Sequence, residues 1–197
     1  MTTVARPDIE LVPAEYTWVG YSDDGDGDDS CGRLLDGPVF RYCVYIEQEI
    51  AVARSNVVRV IEETLADQRG WIRGAVRFQR VAEDADTDVY LAAPKTVDRL
   101  CVPLETKGEV SCCVGRNVVF NVKRWKQAVP HWRPGTSGRL LSYRQMVINH
   151  EFGHRIGNGH RYCPDPGKRA PVMQQQTYGL QGCLANPWPL QEEVAAL

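Results

Sequence analysis

Three histidines and one glutamate within eleven residues constrain this chain more than any other feature. His150, Glu151 and His154 form an H-E-x-x-H pattern, and His160 follows after two glycines. Histidines four residues apart project from nearly the same face of an α-helix, because one turn takes about 3.6 residues. Two imidazoles can therefore reach one metal ion, and the carboxylate of Glu151 stands beside that ion as a candidate general base.

The helix has to end before His160 if this side chain is to face the same ion. In a continued helix, His160 would lie about 240° around the axis and roughly 9 Å further along it. Gly157 reaches positive φ at little cost, and the turn-forming pair Asn158-Gly159 follows it. The pattern therefore predicts three histidine ligands for Zn²⁺ and an open fourth position, which is typical of a catalytic zinc site.

Two alternatives to a catalytic zinc site are open. A helix can carry two histidines on one face by chance, and a degenerate site can bind metal without turnover. The glycine and the third histidine at matching offsets favour a metal site, because four histidines in 197 residues rarely fall in this way.

A methionine follows the third histidine, in Pro171-Val172-Met173. With this methionine, the stretch 149–173 resembles the metal site and Met-turn of the metzincin clan of zinc metallopeptidases. The resemblance implies an α/β (α+β) zincin fold, with an N-terminal mixed sheet, two long helices and a small irregular C-terminal lobe. It also implies that Met173 lies beneath the metal without binding it.

More distant segments are similar to a little-characterised bacterial family of metzincin-like proteins, which carries a domain-of-unknown-function label. The similarity covers roughly residues 37 to 190 and supplies no substrate. Members of that family are typically exported, whereas the first residues here show no basic region followed by an apolar run. The expected location is therefore extracellular if a leader has been removed, and cytoplasmic otherwise. The similar segments are Leu100-Cys101, Arg124-Trp125, Tyr143-Arg144, Asn149-His150-Glu151, 170–177, Gly182-Cys183 and 186–189.

Hydrolysis of peptide bonds is the leading functional hypothesis. Zinc would polarise the scissile carbonyl, and Glu151 would take a proton from the zinc-bound water and pass it to the leaving amine. The alternatives are a zinc-binding module without turnover and a zinc amide hydrolase acting on a biosynthetic intermediate. The intact Glu151 argues against a module that only binds metal, and a deep closed pocket would favour the amide hydrolase.

Three more side chains are candidates for substrate contact. Gln174 follows the Met-turn, where metzincins build the wall of a substrate pocket, and a simple hydrogen-bonded loop fits its position equally well. Tyr178 is a candidate for stabilising an oxyanion, although its spacing favours a packing role. His131 lies between a proline and a tryptophan, where solvent exposure or stacking is more common than a place in the cleft.

Composition limits the class of partner. A chain of 197 residues with 43% hydrophobic content can bury one good core, which fits a single domain. A net charge of −2 gives no electrostatic reason to expect nucleic acid. No apolar run approaches the roughly 18 residues of a membrane span. We expect a monomer that acts on a peptide or protein.

The hydrophobic pattern divides the chain into an irregular N-terminal arm, 1–36, and one catalytic domain, 37–197. The domain would have an upper lobe, 37–157, and a lower lobe, 158–197. A run of acidic residues and glycines at 23–29 departs from a calcium loop at two positions, so a solvated loop is the better interpretation. The predicted elements are strands 39–46, 73–81, 88–93 and 117–122, and helices 49–68 and 143–156, the second capped by Ser142.

Seven cysteines are many for a cytosolic protein of this size and an odd number for a secreted one. In an oxidised protein we favour the pairs Cys101–Cys112 and Cys163–Cys183. Cys31, Cys43 and Cys113 would then compete for one bridge. In a reduced protein all seven would pack as small apolar side chains, and the sequence leaves this alternative open.

Overall fold

A mixed six-stranded sheet with helices on both faces forms the body of the protein in this computed structural model. The structure describes residues 11–13, 38–133 and 138–195. The strands are β1 (Leu11–Pro13), β2 (Val39–Glu47), β3 (Arg77–Arg80), β4 (Thr87–Ala92), β5 (Cys112–Val114) and β6 (Asn117–Asn121). The helices are α1 (Arg54–Leu65), α2 (Pro94–Leu100), α3 (Val122–Gln127), α4 (Arg139–Arg155) and α5 (Gln191–Val194).

Parallel strands form the centre of the sheet, and antiparallel strands form two of its edges. The strand order is β1-β2-β4-β6-β5, and β3 also pairs with β2. Strands β2, β4 and β6 are parallel, whereas β1 and β5 run antiparallel to their neighbours. This arrangement confirms the predicted mixed sheet of the α/β (α+β) class.

The two predicted long helices are present, and both cover the same face of the sheet. Alternate residues of β2 point to this face, where α1 and α4 pack on them. The largest buried side chains here include Tyr42, Phe120, Trp132, Ile148 and Phe152. Burying these apolar groups fixes α4 on the sheet, and α4 carries two of the candidate ligands. Helix α2 covers part of the opposite face, where Val97 and Cys101 are fully buried.

Several predicted boundaries are wrong. The first helix begins at Arg54 and not at residue 49, because Ile50 and Val52 pack on the core as non-helical chain. Helix α4 begins at Arg139, so Ser142 lies inside the helix and is not its cap. The predicted strand 73–81 is shorter, because a 3₁₀ turn occupies Trp71–Gly74.

The N-terminal arm was predicted to be irregular, but Leu11–Pro13 forms a strand that pairs with the outer edge of β2. The acidic run at 23–29 and Cys31 lie outside the described residues. Among the helices that the structure describes, none is both long and apolar enough to cross a membrane.

Candidate metal centre

Helix α4 brings His150 and His154 to the same side of one helical turn. Their ring centroids are 4.8 Å apart. The turn is fixed from behind, where the Trp71 indole N–H donates to the backbone carbonyl of Asn149 at 2.9 Å. Phe152 is fully buried and faces the core of the sheet. The opposite orientations of Phe152 and the two histidines follow from the helical period.

Helix α4 ends where the sequence predicted, and the chain turns back toward the histidines. Gly157 has φ of 101°, a conformation that glycine adopts readily. The Asn158 N–H then donates to the Gly153 carbonyl at 2.9 Å, which satisfies one of the last helical carbonyls. This turn places His160 beside the other two histidines. Its ring centroid lies 4.6 Å from that of His154 and 5.4 Å from that of His150.

Ligand atoms of His150, His154 and His160 all lie within 4.8 Å of one another. The Nε2 atoms of His154 and His160 are 3.1 Å apart. Two nitrogens bound to one tetrahedral zinc at about 2.0–2.1 Å would be roughly 3.4 Å apart, so this pair fits a shared ion. The cluster suits several divalent metals and is not specific to zinc.

Backbone carbonyls orient two of the rings. Nδ1 of His150 lies 2.8 Å from the Val172 carbonyl oxygen, and Nδ1 of His154 lies 2.8 Å from that of Asn158. A carbonyl only accepts, so each Nδ1 carries the proton and each Nε2 keeps its lone pair. Ring nitrogens fixed by outer partners in this way are typical of metal-binding histidines.

Burial keeps these imidazoles neutral. It lowers the pKa of His150 to about 3 and also lowers the pKa of His154 and His160. A histidine binds metal through its neutral form, so three lowered pKa values favour binding at and below neutral pH.

Glu151 lies next to the first histidine, and only 5% of its surface is exposed. Burial raises the pKa of its carboxyl to about 8 in the metal-free protein. A nearby dication would lower that pKa again by favouring the charged form. Glu151 lines the same cavity as the three histidines, so its carboxylate can reach a molecule bound there.

That cavity has a volume of about 500 Å³. Strand β5 and the chain before it form one wall, α4 forms the floor, and the segment 175–178 forms the other wall. Leu104 and Tyr178 at the rim are 50% and 63% exposed, so the cavity opens to solvent. No Lys or Arg is among the described residues that line it.

Of the three candidate substrate contacts, only Tyr178 lines the cavity. The packing role that its spacing favoured is wrong, because its side chain is largely exposed. Gln174 is buried, and its amide donates to the Gly179 carbonyl at 3.2 Å, as in a simple hydrogen-bonded loop. Nε2 of His131 lies 2.8 Å from the Gln176 carbonyl oxygen, outside the cavity lining.

Met173 is fully buried against α4. A Cβ added to Gly153, the residue before His154, would collide with the Met173 sulfur and lie 2.8 Å from the Trp71 ring. The methionine thus lies against the helical turn that carries two of the histidines. No sequence pattern singles out Gly153, because a glycine inside a helix is usually noted only for its low helix propensity.

Glu193 is a second residue that no sequence pattern marked for the site. It is fully buried in the short helix α5, and its carboxylate accepts hydrogen bonds from the backbone N–H groups of Val172 and Met173. The available sequence signal was weak: a glutamate three residues after the cap of a short helix that follows prolines.

Two disulfides, Cys101–Cys112 and Cys163–Cys183, join the pairs that we favoured for an oxidised protein. The first ties the start of β5 to the residue that ends α2, and the second closes a loop that contains Met173. Cys43 and Cys113 are free thiols. They lie on opposite faces of the sheet, because Cys113 packs on the α1/α4 side and Cys43 alternates with Tyr42 and Val44 of that side. These two thiols therefore cannot pair with each other.

One family match covers most of the chain. The family described as "Protein of unknown function (DUF3152)" matches residues 25–190. No curated protein matches the sequence.

Proposed function

Since the chain belongs to the DUF3152 family, whose description gives no activity, we propose from the site itself that it is a zinc-dependent peptidase of the metzincin type. One observation carries the proposal. Three histidine ligand atoms converge within 4.8 Å beside the buried carboxylate of Glu151, on the floor of a cavity that opens to solvent.

His150, His154 and His160 would hold the ion through ring nitrogens. For His150 and His154 the protonated Nδ1 faces a carbonyl, so the ion would bind at Nε2. When bound, zinc polarises a carbonyl oxygen and lowers the pKa of a water to about 7. The same histidines would also fit another divalent metal, and zinc is proposed because three imidazoles and one open position match its catalytic sites.

Glu151 would move the proton. Its carboxylate accepts a proton from the attacking water as the new C–O bond forms, and it returns that proton to the amine as the C–N bond breaks. Burial in the metal-free protein raises the pKa of this carboxyl above that of an exposed glutamate, which favours the uptake of a proton. A module that only bound metal would have no use for a buried carboxylate at this position.

The position of strand β5 favours a peptide as the substrate. It lies at the end of the sheet, no described strand pairs with its outer edge, and its residues Cys112 and Cys113 line the cavity. An extended peptide can add to such an edge through backbone hydrogen bonds. The solvent-open rim favours this substrate over the small amide of a biosynthetic intermediate, which a closed pocket would suit better.

The two disulfides support an oxidising compartment as the place of action. We therefore propose that the protein works outside the cytoplasm.

The proposal is tested by Glu151→Gln, which keeps the size of the side chain and removes the proton acceptor. Peptidase activity on a broad peptide library should fall by about 10² to 10⁴, while zinc content stays at the parent level. Glu63→Gln is the matched control, because Glu63 lies on α1 outside the cavity lining with a side chain that is 58% exposed. This control should cleave as well as the parent.

His160→Ala completes the test, since losing one of three ligands should remove both zinc and activity. If Glu151→Gln cleaved as fast as the parent, the general-base role would be wrong. If the zinc-loaded parent cleaved nothing, the metal-binding module would replace the peptidase as the better proposal.

A further inference from the structure

We infer that Glu193 is a positioning residue of the metal centre, acting through the backbone of Val172 and Met173. This inference rests on the proposed binding of metal by the three histidines. It does not depend on whether the bound metal supports peptidase activity.

The carboxylate of Glu193 joins two segments that are twenty residues apart. Its Oε2 accepts from the Val172 N–H at 2.9 Å, and its Oε1 accepts from the Met173 N–H at 2.8 Å. Both oxygens are therefore used on two successive amides, and this geometry fixes the orientation of the peptide group between them. Oε2 also accepts from the Leu190 N–H at 2.7 Å, which caps α5.

The clamped segment orients two of the three histidines. The Val172 carbonyl accepts from Nδ1 of His150 at 2.8 Å. The Met173 carbonyl accepts from the N–H of Arg161, the residue after His160, at 3.1 Å. One carboxylate thus holds two amide groups whose neighbouring carbonyls set the positions of the first and third ligands.

Packing alone does not explain a glutamate at this position. Val172, Met173, Val194 and Trp71 form a buried apolar cluster, which contains the two residues whose amides Glu193 holds and its neighbour on α5. A carboxylate without water is costly unless hydrogen bonds compensate for the lost hydration. Glu193 is fully buried, and two of the three hydrogen bonds that compensate are the ones that fix the Val172–Met173 peptide.

The test is zinc affinity, measured by competition with a chromophoric chelator. Glu193→Gln keeps the size of the side chain but places an NH₂ group opposite one of the two amides, so at least one hydrogen bond of the clamp is lost. Zinc affinity should fall roughly 10- to 100-fold, which is typical of a lost outer partner. In the metal-free protein, the NMR signal of the His150 Nδ1–H should also weaken or shift.

Two matched controls separate positioning from stability. Glu192→Gln removes a charge from the exposed neighbour on the same helix. Val194→Ala removes buried packing from the same cluster but keeps every hydrogen bond of the clamp. Both controls should bind zinc like the parent, even where Val194→Ala lowers the unfolding temperature. If Glu193→Gln does not fold, Glu193→Asp carries the same expectation, since its shorter side chain cannot reach both amides.

The inference is wrong if Glu193→Gln binds zinc as tightly as the parent, or if Val194→Ala weakens zinc binding to the same degree. A parent without zinc affinity would overturn both the inference and the proposed function. A parent that binds zinc and cleaves no peptide would contradict only the peptidase, and the loss of affinity in Glu193→Gln would still support positioning.

Discussion

Helix α4 and the segment 157–195 supply the same site by different means. In α4, the helical period places His150 and His154 on the same side of the helix. In the segment, His160 and Met173 lie in chain with little regular structure, and their positions depend on partners far away in the sequence. The helix pairs most of its backbone groups within itself, whereas the segment needs side chains that satisfy its backbone groups.

Amide side chains perform this task in the segment. The Gln176 amide donates to the Pro171 and Asn186 carbonyls at 3.1 and 2.8 Å and accepts from the Asn186 N–H at 3.0 Å. The Asn186 amide donates to the Ala170 carbonyl at 2.8 Å. Irregular backbone can be buried only when its polar groups are paired, and these buried amides pair it here. We conclude that individual polar contacts determine the conformation of the segment, whereas the helical period of the sequence determines the arrangement of the histidines on α4.

Gly153 lies where the two regions touch, and Gly153→Ala should break the contact between them. The new methyl group would overlap the Met173 sulfur and press on the Trp71 ring. We expect a loss of about 3 kcal/mol in the free energy of unfolding, the upper part of the usual range for overpacking. Urea denaturation measures this loss, and the control Gly159→Ala should cost much less, because nothing lies within 4 Å of its added Cβ. Equal losses in the two variants would contradict the proposed contact.

The pH dependence of the free energy of unfolding tests the burial of Glu151 and His150, which both lie on α4. Burial raises the pKa of Glu151 from 4.5 to about 8, so between pH 6.5 and 8 the folded metal-free protein keeps a proton that the unfolded chain releases. Its free energy of unfolding should therefore fall as the pH rises through this window, by at most about 2 kcal/mol.

The opposite sign holds at low pH. Burial lowers the pKa of His150 from 6.5 to about 3, so below pH 6.5 the unfolded chain takes up a proton that the folded protein does not. This contribution lowers stability as the pH falls, while Glu151 opposes it down to about pH 4.5. Denaturation in the presence of a chelator measures both the decline in stability above pH 6.5 and the decline at low pH. Glu151→Gln should abolish the decline above pH 6.5, and an unchanged decline would assign it to another group.

Met173→Leu should have the smallest effect. The two side chains have similar volumes, so the cost in unfolding free energy should stay below about 1.5 kcal/mol. Zinc content and most of any peptidase activity should remain, because Met173 is proposed to pack beneath the histidines without binding the ion. Metal analysis of the purified variant is the check. A loss of zinc in a stably folded Met173→Leu protein would show that the methionine does more than pack.

The sequence predicted best what depends on local period. The strands at 39–46, 88–93 and 117–122 and the main part of α4 appear where alternation and the helical repeat placed them. Helices α2 and α3 were missed, because seven and six residues are too few to show a helical repeat. The true start of α4 was missed because a tertiary contact sets it: the Arg139 guanidinium donates to the Trp132 carbonyl at 2.7 Å.

In the site, the motif predicted which histidines converge, since both the helix and its glycine-marked end are local signals. It did not predict what holds them. Glu193 acts on backbone amides twenty positions earlier, and no spacing rule links a carboxylate to peptide groups in irregular chain. Likewise, the cavity lining depends on where the segment after Met173 folds, so spacing alone did not predict that Tyr178 lines the cavity and that Gln174 is buried.

The metal centre is tested most directly by the zinc K-edge X-ray absorption spectrum of the zinc-loaded protein. Three imidazole nitrogens and one further light atom should scatter at about 2.0–2.1 Å, with no sulfur at about 2.3 Å. Cys113 lines the same cavity and is the free thiol placed to compete for the ion. A sulfur shell that disappears in Cys113→Ser, or a spectrum with fewer than three imidazoles, would contradict the proposed three-histidine site.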